Sequence, residues 1–297
     1  MKVRTNIMSN TQRAPDFGVR DPELGAHSGT VLSQAASSRS TGATGGHSGE
    51  EDDGGGSTTG GREGDDTIAG TSGDDHIDGG DGANRLNGDD GADDLRGGAG
   101  TDDLSGGNGD DTVHGGNGEN HLRGDSGNDF LEGGSGFDDI NGNVGNDTEH
   151  GGSGDDWVVG GKDHDAIFGD DGNDIVYGNL GDDTCEGGSG NDIVRGALGN
   201  DIVNGGNGND FVSGDKGDDT ITGGAGADNF HTFGDAGIDR VLDFHLSEGD
   251  RVQLDPGTQY SVAQVGADTV ISMTGGAQMT LVGVQMSTLT GDWIFGA

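Results

Sequence analysis

The chain has 297 residues, of which 27% are hydrophobic and 4% aromatic, and 55 acidic side chains against 14 basic ones leave a formal net charge of −41. Such acidity repels phosphates and excludes nucleic acid as a partner, while it invites cations. A single cysteine, Cys185, excludes an internal disulfide, and no apolar run reaches the roughly 18 residues of a membrane span.

The first segment, residues 1–60, is rich in Ser, Gly and Thr and ends in "SGEEDDGGGSTTGG". It has neither a helical nor a strand period, so disorder is expected there. Its start, "MKVRTNIMSNTQRAPDFG", carries basic residues but no apolar stretch behind them, which argues against a Sec-type signal peptide and for export by another route.

From residue 61 to 231 a nine-residue period runs through 19 copies without an insertion or deletion. Position one is Gly in every copy, from Gly61 to Gly223, and position four is Gly in all but one, where Asp163 stands. Glycine at fixed offsets suits a turn that needs positive φ or close backbone approach. Position eight is nearly always aliphatic (Ile68, Ile77, Leu86, Leu95, Leu104, Val113 and onward to Ile221), between mostly polar neighbours. The pattern predicts a three-residue strand at positions seven to nine with only its middle residue inward. A turn and a short strand, repeated, wind into an all-β parallel coil, with two nonapeptides to a circuit and turns stacked in two ladders roughly 4.8 Å apart.

One aliphatic side chain per nine residues is a thin core against the entropy of ordering the chain, and stacked carboxylates oppose closure. A ligand is therefore expected to complete the fold, and position six names it. That position is Asp in 17 of 19 copies. One ladder reads Asp66, Asn84, Asp102, Asn120, Asp138, Asp156, Asp174, Asp192, Asp210 and Asp228; the other reads Asp75, Asp93, Asp111, Asp129, Asp147, Asp165, Asp183, Asp201 and Asp219. Carboxylates beside turns rich in free carbonyls offer hard oxygen ligands, which favour Ca²⁺ over Mg²⁺ and over soft metals. Thirteen of the successive pairs have aspartate on both sides, and thirteen ions would bring −41 to about −15.

The phrase GGxGxD followed by x-U-x, with U apolar, as in "GGNGNDFVS", "GGSGNDIVR" and "GGSGDDWVV", resembles the RTX, or haemolysin-type, calcium-binding nonapeptide. The resemblance implies a right-handed parallel β-roll with Ca²⁺ in its turns. It also implies a secreted, extracellular protein that leaves a bacterium through a type I secretion apparatus on an uncleaved C-terminal signal and folds when it meets external calcium.

Residues 232–297 are expected to form a small β cap. "GAGADNFHTFGDAGIDRVLDFHLSEGDRVQL" resembles the segment that closes RTX rolls, "DTVISM" and "QMTLVGV" flanking "TGGA" read as a hairpin, and "DWIF" resembles the ending of type I substrates.

Three departures stand out inside the repeat. Glu149 takes an apolar slot between Leu131 and Ile167, where a local bend is expected to let it reach solvent or an ion. Cys185 is expected to be a small buried hydrophobe, and Asp163 to distort one calcium loop. No HExxH occurs, "GDSGN" at 124–128 lies in register with the repeat, and His114, Glu132 and His150 at position nine read as a solvated face rather than a metal site. The repeat has no inserted loop to shape a cleft, so no enzyme is expected. The leading function is a structural or surface- and matrix-binding module. An accessory module of a polysaccharide-active enzyme, resembling those of mannuronan epimerases, is one alternative, with Trp157, Phe130, Phe211 and Tyr177 as candidate sugar contacts. A cation-conducting membrane protein is the other, though the absence of a lipid-facing apolar belt weighs against insertion.

Overall fold

The structure, a computed structural model, describes residues 56–296. Most of the segment expected to be disordered, residues 1–55, lies outside the described residues. The remainder winds into a parallel β-solenoid whose strands alternate between two sheets, one of 14 and one of 12 strands. Each residue pairs with the one a full circuit later, as in Ile68 with Leu86 and Leu86 with Leu104 on one sheet. Ile77 pairs in the same way with Leu95, and Leu95 with Val113, on the other.

The strands are longer than the repeat suggested. Most run six residues, such as Asp94–Ala99 and Thr112–Asn117, through positions seven to nine and on into positions one to three of the next copy. Two inward positions therefore follow each other at the strand period, the aliphatic eighth and the glycine first. The turn glycines do two different jobs. At position one the φ is ordinary, but a Cβ on Gly97 would lie 2.5 Å from Asp102 Oδ2 and 2.6 Å from the Gly115 carbonyl oxygen. At position four the backbone is left-handed, as at Gly190 with φ 144°. Position two is also left-handed from Gly80 onward, and there Asp89, Asp125, Asn143, Asp170, Asn179, Ala197 and Asp215 replace glycine.

Position eight forms the core. Leu95, Leu104, Val113, Leu122, Leu131 and Ile140 are fully buried, and the column continues on each sheet to Ile221 and Phe230. Cys185 sits in it, wholly buried, with its Sγ 3.8 Å from the Arg195 carbonyl oxygen, and burial pushes its thiol well up. Of the expected local bend that lets Glu149 reach solvent or an ion, the bend and the exposure are corrected. Its strand keeps register with Leu131 on one side and Ile167 on the other, and the side chain is 0% exposed. Ladder pairing on both flanks holds the backbone in place, so the carboxylate goes inward with it.

Beyond the last repeat, Ile238–Val241 and Gln278–Leu281 extend one sheet and Arg251–Leu254 and Ile294–Phe295 the other, all in parallel. The expected hairpin is present, Asp268–Met273 pairing antiparallel with Gln278–Leu281, and a third strand, Tyr260–Val265, joins it. Phe230, Phe244 and Trp293 close the end of the core with tilted and edge-on ring contacts. Among the described residues no helix is long and apolar enough to cross a membrane.

Candidate metal centre

The glycine-rich turns bring the position-six side chains into two buried columns, one along each edge of the roll. Each carboxylate uses one oxygen to strap its turn to the preceding one. The N–H of Asp75 donates to Asp93 Oδ1 at 2.7 Å, that of Asp93 to Asp111 Oδ1 at 2.8 Å, and that of Asp174 to Asp192 Oδ1 at 2.8 Å. The other oxygen faces inward without a hydrogen-bond partner. This holds for Oδ2 of Asp93, Asp102, Asp111, Asp129, Asp138, Asp147, Asp156, Asp165, Asp174, Asp183, Asp192, Asp201, Asp210, Asp219 and Asp228. Asp66 and Asp75, at the first circuit, differ: their Oδ2 atoms accept from the N–H of Arg62 and of Thr71, each at 2.6 Å.

An unpaired buried carboxylate oxygen is costly, and a column of them more so. Burial, with the like charges of neighbouring turns, raises Asp111, Asp129, Asp138, Asp165, Asp174 and Asp210 to about 7, against the pull of the backbone N–H bonds. Asp201 is raised to about 8 by the same causes. At Asp75 burial acts upward too, but bonds from Ser57 and Thr71 outweigh it and leave the group lowered. The metal-free ladder thus presents an array of carboxylates held away from their preferred charge state.

The surroundings suit a hard divalent cation. At Gly187 the space a Cβ would fill lies 2.6 Å from Asp192 Oδ2 and 2.5 Å from the Gly205 carbonyl oxygen, so a carboxylate and a carbonyl converge where only glycine leaves room. Oxygen donors from two stacked turns, one of them charged, match the ligand chemistry of Ca²⁺.

The asparagines interrupt this pattern. Asn84 and Asn120 still accept through Oδ1, from the N–H of Asp66 and of Asp102, both at 3.1 Å. Where an aspartate presents Oδ2, they present an amide donor; Asn84 Nδ2 donates to the Gly97 carbonyl oxygen at 3.2 Å. A donor repels a cation and ties up a carbonyl ligand. We expect weaker calcium occupancy in that ladder before residue 138. Asn84→Asp with Asn120→Asp should raise the ion count measured by calorimetric titration, and an unchanged count would reject this reading.

Two further features were not read from the sequence. A second column, at position five, straps the turns in the opposite direction: the N–H of Asn128 donates to Asp110 Oδ1 at 2.8 Å, that of Asn146 to Asn128 Oδ1 at 2.9 Å, and that of Asn191 to Asn173 Oδ1 at 3.0 Å. The signal was the run of Asp, Asn and His at that position. The ladders also continue past the last repeat, where Asp250 Oδ1 accepts from the N–H of Asp228 at 3.0 Å and Asp239 stands buried against Asp219.

The remaining candidates do not assemble into sites. His114 Nδ1 lies 2.8 Å from Glu132 Oε2, but His150 turns instead to Asp170 Oδ2 at 3.0 Å and stacks on Phe168. Trp157, Tyr177 and Phe211 lie on strands of one sheet and Phe130 on the other, so they form no single strip. Asp163 keeps the left-handed turn at φ 79°, below the 145° and 157° of Gly208 and Gly172 at the same position. Its loop is altered in degree and remains stacked, with the N–H of Gly145 still donating to the Lys162 carbonyl at 3.3 Å.

The repeat also matches a known family model. Seven stretches, some overlapping and others end to end, together cover residues 60–241 and match the RTX calcium-binding nonapeptide repeat. No curated protein matches the chain. Among solved structures, the AlgE6R3 subunit of the Azotobacter vinelandii mannuronan C5-epimerase is similar at 26% identity and TM-score 0.32, over 39% of this chain and 78% of that one. The extracellular lipase LipA of Serratia marcescens is similar at 18% identity and TM-score 0.30, over 65% of this chain and 39% of that one. With the repeat matched across well over half its length, the chain belongs to the RTX calcium-binding nonapeptide repeat family, and its solenoid is a calcium-binding β-roll.

Proposed function

We propose that this chain is exported unfolded by a type I apparatus, folds on extracellular Ca²⁺, and then serves as a non-catalytic structural or surface- and matrix-binding module. The ladder aspartates are the ligands in this reading, with the position-one carbonyls beside them. The observation that carries it is the unbroken row of buried, unpartnered Oδ2 atoms along the ladder from Asp93 to Asp219. Nothing in the roll's own chemistry satisfies those oxygens, whereas divalent cations between successive turns would neutralise them and remove the repulsion between circuits. Calcium binding and folding are then one event, as in other small metal-dependent folds. External calcium at roughly millimolar concentration suits an extracellular module of modest affinity, and lower internal calcium keeps the chain loose for export.

Far-ultraviolet circular dichroism of the purified full chain tests this. At about pH 8 with chelator the spectrum should be that of an unordered chain, and calcium should induce β-structure cooperatively. A spectrum already β-rich in chelator at that pH would reject calcium-driven folding.

A further inference from the structure

One buried group is left over when the ladders are accounted for. Glu149 sits in the aliphatic column, 0% exposed, and neither of its carboxylate oxygens has a hydrogen-bond partner. Its side chain does not cross the core. It turns back toward its own edge of the roll, where Oε1 and Asp147 Oδ2 crowd the same point, the position a Cβ on Gly142 would occupy. One oxygen each from Asp147, Glu149 and Asp165 lie within 4.8 Å of one another, and all three residues are buried. This is the one such cluster among the described residues.

We propose that Glu149 is a metal ligand, and that with Asp147 and Asp165 it forms a three-carboxylate site that holds one Ca²⁺ more tightly than the two-aspartate gaps of the ladders. The proposal rests on the calcium-binding ladder argued above but adds to it a ligand at a position where the repeat calls for an apolar side chain. Three points no more than 4.8 Å apart share a centre within about 2.8 Å of each, so shifts of a few tenths of an ångström reach the roughly 2.3–2.6 Å of a Ca–O bond. The alternative is a neutral carboxylic acid packed among aliphatic neighbours. Such a group would leave the buried, unpartnered Oδ2 atoms of Asp147 and Asp165 uncompensated. A shared cation satisfies all three carboxylates at once.

The local sequence adds to the case. The nonapeptide that contributes Asp165 also carries Asp163, whose charge bears on both Asp147 and Asp165. Two of the repeat's departures, far apart in purpose if each is taken alone, therefore enrich the same gap in negative charge. The gap lies near the middle of the roll. Solenoids propagate order between neighbouring repeats, so an ion captured there first would give both halves a template.

Calorimetric titration of the full chain with Ca²⁺ tests the proposal, using wild type, Glu149→Leu, Glu149→Gln and Asp201→Asn. Wild type should show about one ion bound at least about tenfold more tightly than the rest. Both Glu149 variants should lose that ion, while Asp201→Asn should keep it and lose capacity only in the weaker class. Should Glu149→Leu fail to fold, Glu149→Gln, close to isosteric, carries the same test. A tight class that persists in the Glu149 variants overturns the proposal, as does a wild type with a single uniform class, or a Glu149→Leu chain that folds at lower calcium than wild type. Absence of any calcium binding by wild type would instead overturn the ladder reading on which this one stands.

Discussion

In the presence of chelator, the chain is expected to be β-structured at about pH 5 and to lose that structure as the pH rises through 6 to 8, whereas with saturating calcium it should stay folded across the range. The sign follows from the ladder carboxylates. Their folded values lie above the ordinary carboxylate value, mainly because burial disfavours the charge and next because neighbouring turns repel it: about 6 for Asp156 and Asp228, about 7 for Asp111, Asp129 and Asp174, about 8 for Asp201. A group raised on folding holds its proton in the roll under conditions where the unfolded chain has lost it. Its contribution is complete below the ordinary carboxylate value near 4 and is lost as the pH passes the folded value. A carboxylate raised from 3.8 to about 7 costs on the order of 4 kcal/mol to ionise in place. Several such groups together are comparable with the roughly 5–15 kcal/mol by which a domain is usually stable, so the roll without ions is expected to open above the window. Calcium must displace the same protons, so its apparent affinity should fall as the pH is lowered. Circular dichroism followed against pH, with chelator and with calcium, checks both arms. A chelated chain equally unordered at both ends of the range would show that ladder charge is not what keeps the metal-free roll open.

The second large effect concerns glycine at position one. Gly187→Ala should destabilise the calcium-loaded roll by about 3 kcal/mol or more, with a lower melting temperature and a higher calcium requirement. The backbone there is not left-handed, so the cost is one of space. The new methyl would fall 2.5 Å from the Gly205 carbonyl oxygen, 2.6 Å from Asp192 Oδ2 and 2.8 Å from Asp192 Cβ, and ladder pairing on both flanks leaves none of them room to retreat. It would also intrude on two oxygens offered to the cation. Gly60→Ala is the matched control: its Cβ meets nothing within 4 Å, its backbone φ is ordinary, and no change is expected. Thermal melts of both variants at fixed calcium decide the matter. Equal melting temperatures would mean that close packing at position one does not require glycine.

How much of this was legible beforehand differs from residue to residue. The nine-residue beat, the inward eighth position and the pairing of each nonapeptide with the second one along are all consequences of periodicity, and a repeat that contacts only its neighbours makes periodicity sufficient. The hairpin around "TGGA" followed from strand pattern and turn chemistry, both local. Strand length was not legible, because the extension of Asp94–Ala99 through Gly97 and Gly98 depends on ladder bonds to neighbouring circuits that no single nonapeptide contains. The position-five column was missed for the same reason: Asn128 reads as a turn residue until the N–H it serves, on Asn146, is brought beside it from the next circuit.

By itself, then, the order of residues determined the coil, its two ladders and the class of ion they suit, since these depend on which residue types recur and how far apart. Tertiary structure alone decided which oxygen of each aspartate is spent on the neighbouring backbone and which is left facing inward. It alone decided, too, that Glu149 turns back to Asp147 and Asp165 and does not escape to solvent. Both are questions of direction, and the direction of a side chain is set by the flanking circuits that hold its strand in register.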